Sequence, residues 1–249
     1  MRCFLNLLPA IKRRLPSPAT RLYPDPCIHE NCPEFEVNKW IVSDFVIHEL
    51  VPVVGISPFP IDEQLLLAAA VCRFKPGAIF EWGTNVGKSA RIFYETARHF
   101  RIPARIHSVD LPDSVYHSEH PYEKRGEFVK GLKNIFLYQG DGMDTCLGIY
   151  RNTPTRAPPL FFLDGDHGYA SVQRELQGIA RQVDNPILII HDTFYQSRES
   201  GYNTGPHRAV EEFLGGDGNN FEKLSAQSGL PGLTVLYRKK MPEIQAQKS

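Results

Sequence analysis

Five short apolar runs, each separated from the next by a segment with helical character, constrain this chain more than any other feature. The runs cover residues 78–82, 106–109, 135–138, 160–163 and 187–190. Each is four or five residues long and nearly continuous in apolar character, as strands buried on both faces require. Between them, Val86, Ala90, Phe93 and Ala97 recur at i, i+4, i+7 and i+11, and Val172, Leu176, Ile179 and Val183 repeat the spacing. Such stripes mark helices with one buried face. Strands alternating with helices predict a doubly wound α/β fold on a mostly parallel sheet. Two last runs, 221–226 and 233–238, are separated by only six residues, too few for a crossover helix. They predict an antiparallel hairpin, so that a seven-stranded sheet ends on an antiparallel last strand.

Residues 1–60 behave differently. Nine prolines interrupt them, and only 37–50 shows a helical pattern. This segment reads as an N-terminal extension lying over a main domain of residues 61–240, or in a homodimer contact; residues 241–249 form a tail. Leu8, Ile11 and Leu15 recur at helical spacing within the extension. At Ile61-Asp62-Glu63 a helix begins, with Leu65, Ala69 and Cys72 on one face.

Composition excludes several classes. Lys plus Arg and Asp plus Glu both number 28, giving zero net charge, and no long Lys/Arg run is present, which disfavours nucleic acid as a partner. The five cysteines (Cys3, Cys27, Cys32, Cys72 and Cys146) are odd in number and scattered, as suits a reducing compartment. Cys27 and Cys32 lack a second pair at zinc-site spacing. The first fifteen residues run from apolar to basic, the reverse of a secretory signal. No apolar run approaches the ~20 residues that span a bilayer. A cytoplasmic protein without a membrane span is expected.

The glycine loop after the first run, Phe80-Glu81-Trp82-Gly83-Thr84-Asn85-Val86-Gly87, continues into Lys88-Ser89. Its Gly-Lys-Ser ending suggests a P-loop, but position 82, where that motif needs its first glycine, is tryptophan. Starting from Gly83 leaves the loop one residue short for a phosphate nest. The dinucleotide fingerprint would place Trp82 and Thr84 at its first two glycines, where a pyrophosphate could not approach the backbone. What remains is a strand-end acid, Gly-x-x-x-Gly and a helix, which suits a ligand without phosphates. Glu81 is placed to orient an ammonium or a bound water. Asp110 ends the second strand, 27 residues after Gly83, and can accept both hydroxyls of a ribose. Asp141 follows the third strand, where it can accept from an adenine amino group or cap the next helix. Acids at three successive strand ends share the edge where doubly wound folds bind ligands. Together they describe an adenosyl site.

With those residues in place, positions 61 to 238 resemble class I S-adenosylmethionine-dependent methyltransferases. Phe162-Leu163-Asp164-Gly165-Asp166-His167-Gly168-Tyr169 and His191-Asp192-Thr193 look like the small-molecule O-methyltransferase branch that includes macrocin-type and cephalosporin-hydroxylase-like proteins. The resemblance implies cofactor contacts at Glu81, Gly83, Thr84, Asn85, Gly87, Asp110 and Asp141. It implies that Asp164, His191 and Asp192 hold a divalent metal, magnesium or manganese, with one departure. His191 stands where an acid is usual, and imidazole suits manganese, iron or zinc better than magnesium.

Methyl transfer is an in-line displacement in which the acceptor must be positioned and deprotonated. Asp164 with His167 or His191 as general base forms the expected catalytic set, histidine being the side chain that titrates near neutrality. Asp166-His167 also reads as the cap and first turn of a helix, and His191-Asp192 as a structural hydrogen bond. Two polar stretches could line a pocket for a small polar acceptor: one with His117 and His120, one with Tyr195, Gln196, Arg198 and Tyr202. His207 and Arg208 read as a helix opening. Competing readings are a methyltransferase-like binding protein without turnover, and an iron-dependent hydroxylase in which His167 joins the other ligands.

Overall fold

The computed structural model describes residues 24–30, 32–115, 122–153, 156–195 and 203–238. Expectations on Cys3, Leu8, Ile11, Leu15, His117, His120, Gln196, Arg198 and Tyr202 lie outside them.

The seven runs are all strands: β1 (Ala78–Trp82), β2 (Arg105–Asp110), β3 (Ile135–Gln139), β4 (Leu160–Leu163), β5 (Ile187–His191), β6 (Phe221–Ala226) and β7 (Leu233–Arg238). They form one sheet in the order β3-β2-β1-β4-β5-β7-β6. β1 to β5 pair in parallel, and β7 inserts antiparallel between β5 and β6. The doubly wound sheet and its reversed last strand are thus as the apolar pattern predicts.

Period-two alternation divides the strand side chains between two cores. Ile79, Ile106, Leu160, Phe162, Ile187, Ile189 and Val235 belong to one. Ala78, Phe80, Trp82, Val109, Phe161, Leu163, Leu188, Ile190 and Leu236 belong to the other. On the first face lie α1 (Lys39–Phe45), a π-helical turn (Val46–Leu50), α2 (Val51–Val54), α3 (Ile61–Phe74) and α4 (Lys88–His99). On the second lie α5 (Gly142–Asn152), α6 (Tyr169–Gln182) and α7 (Gly205–Gly215). The helices before residue 60 supply Val42, Phe45, Leu50, Val54 and Phe59 to the first core.

Three details differ from the pattern-based expectations. The segment expected as one helix over 37–50 is instead α1, the π turn and α2, running on to Val54. Helix α3 is buried almost all round rather than on one face, because α1 and α4 flank it as well as the sheet. β3 is not buried on both faces; as an edge strand it leaves Phe136 and Leu137 about 45% exposed. Part of the extension is pinned to this domain, since Lys75 pairs with Asp25 and Glu30 at 2.5 and 2.7 Å.

Candidate active site

All five parallel strands end at one edge, and a cavity of about 440 Å³ opens there. Trp82, Gly83, Asp110, Gly140, Asp141, Gly165, His167, Arg174 and Glu175 are among its lining residues. Gly83 has φ +95°, and a Cβ there would lie 1.9 Å from the Asp164 carbonyl oxygen. Only glycine lets the ends of β1 and β4 approach so closely. Trp82 packs in turn against Gly142 and Gly165, where a Cβ would meet its ring at 2.4 and 2.9 Å.

The seven expected cofactor residues separate into two groups. Gly83, Asp110 and Asp141 line the cavity; Glu81, Thr84, Asn85 and Gly87 do not. Alternation explains Glu81: Ile79 faces the α1–α4 layer, so Glu81, two residues on, faces it too. There Ser108 donates to the Glu81 carboxyl at 2.6 Å, and Thr84 bonds Ser108 at 2.6 Å. These bonds tie the end of β1 to β2. Burial pushes the Glu81 pKa up to about 8. Asn85 donates its backbone N–H to Asp110 at 3.1 Å, and Gly87 (φ +85°) caps α4.

The cavity acids are engaged by the protein itself. Asp110 accepts from the Asn85 and Leu111 amides and from Arg125 at 3.0 Å. Asp141 caps α5 by accepting from the Asp144 amide at 2.9 Å, and pairs with Arg174 at 3.1 Å. Burial works against Asp141's charge, but these donors hold its pKa below the usual carboxylate value. Glu175, on α6 beside Trp82, is buried, and that burial pushes its pKa up to about 8. The pattern gave no sign of Glu175 as a cavity residue, although its position one before Leu176 puts it at the edge of the α6 stripe.

Past β4 and β5 the arrangement changes. Asp164, His167 and Asp192 each offer one ligand atom, and these atoms all lie within 4.8 Å of one another. His167 Nδ1 lies 2.8 Å from Asp192 Oδ2. That bond raises the His167 pKa above its ordinary value, against the opposing effect of burial. The neighbouring Asp166 accepts from the Gly168 amide at 2.8 Å and bonds Ser171, holding the entry to α6.

His191 stands behind this cluster rather than in it. Its Nδ1 lies 2.9 Å from Asp164 Oδ1 and 3.3 Å from Asp192 Oδ2. Its Nε2 lies 3.1 Å from Glu63 Oε2. Burial disfavours the cation, but Asp164, Asp192 and Glu63 outweigh it and hold the pKa well above the ordinary value. Among the described residues the candidate metal set is therefore Asp164, His167 and Asp192, with His191 joined to two of its members. Glu63 escaped notice because an acid in the first turn of α3 reads as a response to the helix dipole. Alternation held the missing signal: Ile189 faces the α1–α4 layer, so His191 points toward α3.

No protein-family model and no curated protein matches the chain. Solved structures do. An O-methyltransferase from Bacillus cereus in complex with SAH superposes with a TM-score of 0.53 at 15% identity, covering 80% of this chain and 90% of that one. The O-methyltransferase TomG from Streptomyces achromogenes, in complex with SAM, gives 0.52 at 15% identity over 81% and 89%. The SAH-bound Podospora anserina methyltransferase PaMTH1 gives 0.52 at 16% over 79% and 88%. With the strand order, the reversed β7 and the position of the cavity, these likenesses establish that the chain has the Rossmann-like methyltransferase fold.

Proposed function

We propose that this chain transfers the methyl group of S-adenosylmethionine to an oxygen of a small polar acceptor, a sugar or another natural product, with help from a divalent metal. The observation that carries the reading is the convergence of Asp164, His167 and Asp192 beside a cavity already lined by His167, Gly83, Asp110 and Asp141. The SAM and SAH bound in structures of like fold support the choice of cofactor. In this reading the adenosyl part lies along the ends of β1 to β3, with the reactive methyl toward β4 and β5.

Two carboxylates and one imidazole fit a divalent ion, and favour manganese, iron or zinc over magnesium. Asp164, His167 and Asp192 would hold such an ion, which would supply Lewis acidity toward the acceptor oxygen. The protein's own part is to fix the acceptor in line with the methyl group and exclude competing geometry. His191 has a carboxylate at each ring nitrogen, so neither nitrogen is left to take the acceptor's proton.

A metal-free variant of the same reaction draws on one further observation, the 2.8 Å contact of His167 with Asp192. Oriented in this way, His167 would act as general base, a role worth about 10²–10⁴-fold. The hydroxylase alternative has less support, since a facial triad takes two histidines and one carboxylate and the cluster holds the reverse. Transfer of labelled methyl from S-adenosylmethionine to a panel of sugars and hydroxylated natural products tests the proposal. Loss of transfer on chelation and recovery with Mn²⁺ supports the metal-assisted form. Transfer indifferent to chelation favours the His167–Asp192 base, and labelled cofactor retained without any transfer favours a binding protein.

A further inference from the structure

We propose that Glu63 is a positioning residue that sets the Asp164 carboxylate through His191; the inference rests on the cluster of Asp164, His167 and Asp192 as the working site. Glu63 is 1% exposed and lies 128 positions from His191 in the chain. Both of its oxygens are engaged. Oε1 accepts from the Gly232 amide at 2.8 Å, and Oε2 faces His191 Nε2 at 3.1 Å. Gly232 is itself tied back to the end of β5, where its carbonyl accepts from the Thr193 amide at 3.1 Å. The carboxylate is thus fixed against the sheet and cannot follow a moving ring.

The ring is equally confined. His191 is the last residue of β5, and Phe59 and Phe162 lie 4.9 and 6.2 Å from its centroid. Carboxylate oxygens only accept, so a ring between Glu63 and Asp164 donates at both ends. Its Nδ1 claims Asp164 Oδ1 at 2.9 Å. With one oxygen held from behind, rotation of the Asp164 carboxylate about its Cβ–Cγ bond is set, and with it the direction of the other oxygen. Without that hold, repulsion from Asp192 would turn Asp164 away from the cluster. Partners behind a ligating side chain typically alter metal affinity 10–100-fold.

The test uses the full chain and Mn²⁺ alone as the probe. Glu63→Gln is close to isosteric but places an amide N–H against one of two existing donors; Glu63→Ala removes both bonds. Calorimetry is expected to show Mn²⁺ binding about tenfold weaker in E63Q and weaker again in E63A, with S-adenosylmethionine affinity within about threefold of wild type. Ring ¹⁵N spectra, with His191 assigned from the His191→Gln variant, provide a second readout. The Nδ1 resonance, on the side away from Glu63, is expected to shift in E63Q. Unchanged Mn²⁺ affinity in folded E63Q overturns the proposal. So does a parallel loss of Mn²⁺ and cofactor affinity, which marks general unfolding, or weakened Mn²⁺ binding with Nδ1 unmoved. Wild-type protein that binds no Mn²⁺ overturns the metal-assisted function instead, and the Nδ1 shift still decides whether Glu63 acts through His191.

Discussion

The two halves of the sheet edge handle charge in opposite ways. At the ends of β1 to β3, Asp110 and Asp141 are each met by backbone amides and an arginine. That half offers a ligand its shape: a cavity floored by Trp82 and opened by Gly83, Gly140 and Gly165. At the ends of β4 and β5, Asp164 and Asp192 converge on each other, and with Glu63 they share the imidazole of His191. This second half offers a ligand charge. The proposed reaction, between a large adenosyl cofactor and a small polar acceptor, would use both, and Gly83 joins them by letting β1 close on the Asp164 backbone.

Removing the charged half should separate them most. Asp164→Ala is expected to lower turnover by about 10³-fold or more while cofactor affinity stays within a few fold; comparable losses in kcat and in cofactor Kd would break the distinction. Gly83→Ala strikes the joint. The added Cβ meets the Asp164 carbonyl oxygen at 1.9 Å in a backbone conformation of φ +95°. A loss of about 3 kcal/mol in urea unfolding is expected, with binding and turnover falling together.

Beside the shape-forming half lie two acids whose charge is disfavoured by burial. Glu81 and Glu175 have pKa values pushed up to about 8 from 4.5. The folded protein keeps these protons where the unfolded chain has lost them, so stability is full below about pH 4.5 and falls as pH rises toward 8. Each contributes a slope of up to about 1.4 kcal/mol per pH unit in that window. Glu175→Gln should flatten the decline in thermal midpoint between pH 5 and 8; an unchanged profile would place the buried proton elsewhere. The smallest effect is expected at Asp141. Its replacement by Ala should cost about 1 kcal/mol as a lost helix cap and change cofactor affinity about threefold or less. A hundredfold loss would show that this carboxylate reaches the ligand directly.

The fold was legible because most of the strands stand out as apolar runs and the last two leave no space for a helix. The glycine loop could be read only by exclusion, since Trp82 blocks both phosphate-binding patterns, and of its residues Trp82 and Gly83 line the cavity. The division of labour among the acids was not. Whether Glu81 faces the cavity or the helix layer depends on the phase of β1, and the apolar run is buried in both phases. The partnership of Glu63 with His191 joins residues far apart in the chain and exists only once α3 lies across the end of β5. Local patterns carry periodicity, whereas a buried ion network is a property of packing.

The claim underlying all of this is that the cavity at the strand ends binds S-adenosylmethionine. Isothermal titration of the full chain with that compound, before and after addition of Mn²⁺, tests it most directly. Saturable one-site binding in both conditions is the expected result. No heat of binding in either, at cofactor concentrations up to about 1 mM, where even a Kd worth only about 4 kcal/mol would register, would contradict it.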